Sequence, residues 1–126
     1  MRVAIIGAGL TGLTAAEALT RAGVSVVVFD KGRGVGGRLS TRRADGGLQF
    51  DHGAQYLSAK GPEFAAFLDA AEQAGAAGQW RLATGAPKYV GTPGMSAIAK
   101  FLAKSCDVRQ GVELAVLTAS ATGWNI

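Results

Sequence analysis

Three glycines near the N-terminus have the spacing of a phosphate-binding turn. Gly7, Gly9 and Gly12 follow the pattern G-x-G-x-x-G, directly behind the apolar run at residues 3–6. In such a turn the first glycine permits a tight bend, and the second lets the backbone approach a pyrophosphate. The third lets the following helix pack closely on the strand. Asp30 ends the next β-branched run, where a carboxylate can bind ribose hydroxyls. The pattern therefore predicts a dinucleotide site that holds an ADP moiety.

A second glycine pair, Gly36-Gly37, is followed by Arg38. Glycine permits close approach of the backbone to a ligand, and an arginine can donate two hydrogen bonds to phosphate oxygens. The alternative interpretation is a glycine loop whose arginines face water. The segment is also strongly basic, with Lys31, Arg33, Arg38, Arg42 and Arg43. No aromatic residues alternate with these cations, so a compact anionic ligand is favoured over nucleic acid.

A third motif, FDHGAQYL, occupies residues 50–57. Together with G-x-G-x-x-G, the acid and Gly-Gly-Arg, it resembles the renalase-like bacterial NAD(P)/FAD-dependent oxidoreductases of the flavin amine oxidase superfamily. The resemblance extends over essentially the whole chain. It implies FAD as cofactor, hydride transfer from a dihydronicotinamide-type substrate to the flavin, and oxygen as the electron acceptor that yields peroxide.

The resemblance also implies roles for individual residues. Tyr56 and Gln55 are the candidate catalytic residues, with Tyr56 stacking over the substrate or lining the flavin face. A buried core tyrosine is the alternative for Tyr56. His52 is expected to be a structural neighbour of the flavin loop rather than a general base, since the cofactor carries the chemistry. The predicted cofactor-binding residues are Gly7, Ala8, Gly9, Leu10, Thr11, Gly12, Asp30, Lys31, Gly36, Gly37, Arg38, Gly53, Ala54 and Gln55.

Periodicity places these motifs on a strand–helix–strand unit. It predicts a buried parallel strand at 3–6, a helix at 10–22 ended by Gly23, and a second buried strand at 24–29. Residues 31–47 are predicted to be irregular because they are rich in Gly and Arg. Beyond them we expect a short strand turning at Gly53, a helix at 62–74, a break at 75–78 and strands at 80–82 and 88–90. The prediction ends with a helix that begins at 92–94, a third parallel strand at 108–109, and an antiparallel pair within 112–126 that turns near Gly123.

These elements predict an α/β fold: a Rossmann-like, three-layer FAD/NAD(P)-binding domain of the glutathione-reductase type, with the start of a mixed-sheet substrate domain. The expected organisation is an FAD-binding unit at 1–75, a short excursion toward a substrate domain at 76–92, and a return helix, third strand and β segment at 93–126. Compared with the family that it resembles, we expect the chain to be the N-terminal part of a longer protein.

Composition narrows the class of protein. The 126 residues are 48% hydrophobic and 17% charged, which is an ordinary globular balance, with a net charge of +4. No apolar run is long enough to span a bilayer. The lone cysteine, Cys106, allows no internal disulfide and favours a cytoplasmic location. We expect a small-molecule substrate, no metal, no nucleic acid and no membrane partner.

The sequence leaves three alternatives to a renalase-like, FAD-dependent oxidoreductase open. The protein could be a flavin amine oxidase acting on a small amine, because the Gly-Gly-Arg motif occurs there too. It could be an NAD-binding dehydrogenase module without flavin, which the Gly-Gly-Arg segment argues against. It could also be a non-catalytic, truncated dinucleotide-binding domain.

Overall fold

The computed structural model describes residues 1–81 and 85–126. The strands are β1 (Arg2–Ile6), β2 (Ser25–Asp30), β3 (Thr41–Arg43), β4 (Gln49–Asp51), β5 (Ala77–Trp80), β6 (Lys88–Gly91), β7 (Val108–Gln110), β8 (Thr118–Ser120) and β9 (Gly123–Asn125). The helices are α1 (Leu10–Arg21), α2 (Pro62–Gln73) and α3 (Ser96–Ala103), and two short 3₁₀ turns span Gly37–Leu39 and Asp45–Gly47.

A parallel sheet forms the centre of the fold. β2 lies between β1 and β7 and pairs with both in parallel. Ile6 of β1 is in register with Phe29, and Val28 of β2 is in register with Val108. Parallel strands need a long crossover connection, and both connections here contain at least one helix. The predicted α/β fold with a Rossmann-like parallel sheet is confirmed, including the third strand.

The helix boundaries follow local signals in the sequence. α1 begins one residue after Gly9, and Gly23 ends it in a left-handed conformation with φ of 80°. The Gly23 N–H donates to the Thr20 carbonyl at 2.9 Å, which satisfies one of the last free carbonyls of the helix. α2 begins at Pro62, where a missing N–H costs nothing.

Apolar side chains from α1, β2 and α3 form one continuous core. Leu13 and Ala16 of α1, Val28 of β2, and Ile98 and Leu102 of α3 are all buried in it. The opposite face of β1 is different, because Ala4 is exposed there and Ile6 is 58% exposed. The prediction of a buried first strand is therefore wrong for this face, whereas Ile5, on the other face, is partly buried against the core.

The prediction that residues 31–47 are irregular is also wrong for part of this range, because β3 spans Thr41–Arg43. β3 pairs antiparallel with β4, and Thr41 is in register with Asp51. The turn between them contains Gly46 and Gly47, with φ of 73° and 77°. Asp-Gly is a hairpin signal, and the general richness of the segment in glycine and arginine concealed it.

A second hairpin, β5–β6, follows α2. β5 begins at Ala77, so the predicted break at 75–78 is shorter than expected, and the predicted strand at 80–82 lies earlier. Leu82 lies outside the described residues. Leu57 exchanges two backbone hydrogen bonds with Tyr89, at 2.7 and 2.9 Å, and so forms a one-residue antiparallel bridge to the edge of this hairpin.

The remaining elements lie near their predicted positions. α3 begins at Ser96 rather than at 92–94, because side chains of the β3–β4 hairpin bind the first N–H groups of the helix. β8 and β9 form the expected antiparallel pair at the end of the chain. Within residues 1–81 and 85–126, no helix has both the length and the apolar character needed to cross a membrane.

Tyr89 gives a pH-dependent test of the packing between α2 and the β5–β6 hairpin. Its buried phenol donates a hydrogen bond to Asp69 Oδ1 at 3.1 Å. That bond, followed by burial and by the negative charge of Asp69, raises the pKa of Tyr89 above its ordinary value of 10.0. Stability from this contact is therefore full below pH 10 and is lost as the pH rises through the pKa of the folded state.

We expect Tyr89→Phe to lower the urea midpoint of unfolding at pH 7, because the substitution removes a hydrogen bond to a charged group. The difference from wild type should shrink above pH 10. Tyr56→Phe, at the other tyrosine, should not change the midpoint. A constant difference between Tyr89→Phe and wild type across this pH range would contradict the assignment.

Candidate functional site

The three sequence motifs meet in space, held by backbone hydrogen bonds. The Gly36 N–H donates to the Ala8 carbonyl at 2.9 Å, joining the second motif to the first. The Ala54 N–H donates to the Arg38 carbonyl at 2.7 Å, joining the third motif to the second. Segments far apart in the chain thus form one layer at the carboxyl ends of the parallel strands, which is where α/β folds bind ligands.

A cleft of about 700 Å³ lies in this layer, within the range of small-molecule and cofactor sites. All three motifs contribute to its walls. The lining residues are Ile6, Gly7, Gly9, Leu10, Thr11, Gly12, Gly36, Gly37, Arg38, Leu39, Gly53, Ala54 and Leu57. Most of the predicted cofactor-binding residues are therefore brought together.

Two of the glycines are required by close packing of the backbone. A Cβ at Gly12 would overlap the carbonyl oxygen of Gly7, and one at Gly53 would overlap the carbonyl oxygen of Arg38. Gly9 differs, because a Cβ there meets no protein atom within 4 Å. Gly9 lines the cleft at the N-terminus of α1, so open space at this position fits a ligand that approaches the backbone.

Asp30 lies at the end of β2 and faces the first glycine turn. Its Oδ2 accepts a hydrogen bond from the Ala8 N–H at 2.6 Å, and its Oδ1 accepts one from the Gly32 N–H at 2.7 Å. Each carboxylate oxygen has a further lone pair, so the group can still accept ribose hydroxyls. Asp30, Ala8 and the exposed Lys31 are not among the residues that line the cleft.

Gln55 and Tyr56 lie beyond the cleft wall, whereas their neighbours Ala54 and Leu57 are part of it. Tyr56 is 43% exposed, so it is not the core tyrosine of the alternative interpretation. Its ring packs edge-on against Trp80 with 6.4 Å between centroids, and Lys88 Nζ lies 5.1 Å from its centroid. The catalytic roles of Gln55 and Tyr56 stay predictions.

His52 is exposed and follows β4 directly. Its backbone N–H donates to the Ser40 carbonyl at 3.5 Å. Within the described part of the chain, no group of three or more His, Cys, Asp or Glu residues could hold a metal ion.

Sequence reasoning missed two residues that position the site, Thr41 and Asp51. Asp51 Oδ1 accepts hydrogen bonds from the Met95 N–H at 3.0 Å and from Thr41 Oγ1 at 2.5 Å. Thr41 Oγ1 in turn accepts the Ser96 N–H at 3.1 Å. The hairpin side chains thus cap the N-terminus of α3, where a negative charge is favourable.

This cap joins the third motif to the core. Asp51 belongs to the same segment as Gly53 and Ala54, and α3 is packed against α1 through buried apolar side chains. The available signal was an acid in the third motif and a threonine after Gly-Gly-Arg. Nothing in the sequence shows that these two residues bind the start of a helix that lies more than 40 residues further along the chain.

Comparison with protein families assigns the fold that this geometry indicates. The family described as NAD(P)-binding Rossmann-like domain matches residues 5–71, which contain all three motifs. The chain belongs to this family. Its Rossmann-like site, with the cleft and the three glycine segments described above, fits FAD.

Individual relatives match parts of the chain. The chain is 45% identical over 53 residues to 4,4'-diapophytoene desaturase (4,4'-diaponeurosporene-forming) of Staphylococcus aureus, strains Newman and USA300. Each alignment covers 42% of this chain and 10% of the desaturase. A solved structure of a putrescine oxidase double mutant, made in a redesign of cofactor binding, superposes with a TM-score of 0.51 at 35% identity. That match covers 64% of this chain and 17% of the oxidase, so the chain spans a minor part of the length of the relatives that it matches.

The different surroundings of Gly9 and Gly12 give a matched pair of tests. Gly9→Ala should leave the urea midpoint of unfolding near that of wild type, because its methyl group has free space. The same methyl group occupies the approach to the pyrophosphate and should weaken FAD binding by about tenfold or more. Gly12→Ala should instead lower stability, because its methyl group overlaps the Gly7 carbonyl.

Gly61→Ala serves as the control, since Gly61 lies away from the cleft and a Cβ there meets nothing within 4 Å. Binding is measured by FAD titration and stability by urea unfolding. Unchanged FAD affinity in Gly9→Ala would contradict the placement of the phosphates.

Removing the cap of α3 tests the role of Asp51. Asp51→Ala should lower the free energy of unfolding by about 1 kcal/mol, which is typical for loss of a helix cap. It should also increase hydrogen exchange at the Met95 and Ser96 amides. Asp45→Ala, in the exposed turn of the same hairpin, is the control. Equal exchange in the two variants would show that Asp51 does not hold the helix.

Proposed function

We propose that this chain is the dinucleotide-binding part of an FAD-dependent oxidoreductase. The observation that carries the proposal is the joining of three glycine-containing segments around one cleft, since a site for an ADP moiety alone needs only the first. The second and third segments extend the cleft past the phosphate turn and give it room for a longer, two-part cofactor.

In this proposal each segment holds a different part of FAD. The turn from Gly7 to Gly12 and the N-terminus of α1 bind the pyrophosphate, and Asp30 binds the adenosine ribose. Arg38 donates to phosphate oxygens, while Gly53 and Ala54 form the wall toward the flavin ring. When bound, FAD supplies the ring that accepts a hydride from the substrate.

We further propose a renalase-like reaction for the whole protein: oxidation of a dihydronicotinamide-type substrate, with oxygen as the final acceptor and peroxide as product. The motif at residues 50–57 supports this substrate class. Gln55 and Tyr56 follow the cleft wall directly and keep their predicted roles on the substrate side. The lone cysteine continues to support a cytoplasmic location.

Oxidation of a small amine is the second candidate. It is favoured by the superposition on a putrescine oxidase, whose name gives its substrate. Both classes would need the cofactor motifs, so the two reactions have to be distinguished by turnover.

The first experiment is a visible absorption spectrum of the protein after incubation with FAD and gel filtration. Flavin absorbance that co-elutes with the protein is the expected result, and its absence from the whole protein would refute the proposed cofactor. The whole protein is then assayed for peroxide release with dihydronicotinamide isomers and, separately, with putrescine. Turnover of the former alone supports the renalase-like reaction, and turnover of putrescine alone supports the amine oxidase.

A further inference from the structure

The small sheet beside the cleft has two faces of opposite character. Side chains alternate between the faces of a strand. On one face, Tyr89 and Gln79 bind the α2 carboxylates of Asp69 and Glu72, each at 3.1 Å. The acids that contact this sheet therefore lie on its α2 side.

The other face carries aromatic rings and a cation. Trp80 and Lys88 are directly paired across β5 and β6 and so share this face. Tyr56 and Ser58 flank Leu57, the residue paired with Tyr89, and reach the same face. The contacts confirm the arrangement, with Lys88 Nζ 3.1 Å from Ser58 Oγ and 5.1 Å from the Tyr56 ring centroid.

Lys88 on this face is half-buried and forms no ion pair within residues 1–81 and 85–126. Removing an ammonium group from water without a counter-ion is unfavourable, so such a group is suited to bind an anion. Trp80 and Tyr56 remain 47% and 43% exposed beside it, which leaves ring surface available for stacking.

The backbone that carries Tyr56 on this face adjoins the cofactor cleft. Leu57 lines the cleft, and Tyr56 is its neighbour in the chain. A substrate whose reacting ring enters the cleft can therefore extend a second, anionic part over the rim. We propose that Lys88, with Tyr56 and Trp80, binds the phosphate-bearing part of a nucleotide substrate and disfavours cationic amines by like-charge repulsion.

The proposal rests on the proposed function and makes it specific. It assigns substrate selection to Lys88, a residue outside the three motifs. Binding energy at a remote phosphate can orient the reacting ring without any contact to it.

The test measures binding of nicotinamide mononucleotide to the protein saturated with FAD, so that the cofactor cleft is occupied. Calorimetry gives the affinity. In a Trp124→Phe background, Trp80 is the remaining tryptophan, and its fluorescence reports whether the ligand lies on this face. Nicotinamide riboside, which lacks the phosphate, and putrescine are the comparison ligands.

Lys88→Gln should weaken nicotinamide mononucleotide binding roughly ten- to a hundredfold, as expected for loss of a hydrogen bond to a charged group. It should leave riboside binding unchanged and should not weaken putrescine binding. Lys88→Arg should retain the preference for the phosphate, and Lys60→Gln, at an exposed lysine before α2, should behave as wild type.

Equal affinity of wild type and Lys88→Gln for the mononucleotide, or unchanged Trp80 fluorescence on binding, would overturn this proposal. Absorbance of the same samples reports bound FAD. Retained FAD with no effect of Lys88→Gln would overturn the substrate site alone, whereas loss of FAD from wild type would overturn the proposed function.

Discussion

Close contact between backbones is the constraint on which the site depends. Main-chain hydrogen bonds join the first glycine turn, the Gly-Gly-Arg turn and the segment after β4. Such contact is possible only where no Cβ intervenes, as at Gly12 against Gly7 and at Gly53 against Arg38. The glycines therefore shape a cleft before they bind anything, and Gly9 is the position left open for a ligand.

Two carboxylate side chains, those of Asp30 and Asp51, stabilise this arrangement of the backbone. Asp30 ties the end of β2 to the first glycine turn through Ala8, and Asp51 ties the third motif to the start of α3. Both carboxylates accept backbone N–H groups, which are strong hydrogen bonds because the acceptor is charged. Asp30 was predicted from the sequence to bind the ligand, and Asp51 was not singled out. Both acids have a structural role, because they position the cleft walls.

The β5–β6 hairpin shows how one small sheet separates two environments. Its inner face joins α2 through Tyr89 and Asp69, while its outer face collects Tyr56, Trp80 and Lys88. Alternation along each strand divides the residues in this way, so neighbours in sequence such as Lys88 and Tyr89 have unrelated roles. The segment from Gly53 to Leu57 connects the cofactor cleft to this sheet, and it is the physical link between the two sites.

The sequence by itself determined the strand–helix–strand unit, the phosphate turn and the ends of α1 and α2. Those features depend on local signals: apolar periodicity, glycine where a positive φ is needed, and proline at the first helical position. Tertiary structure alone decided that Thr41 and Asp51 cap α3 and that Lys88 lies over Tyr56. Each of these contacts joins residues distant in the chain, and their pairing depends on how the helices and the sheet pack, which no short window of sequence encodes.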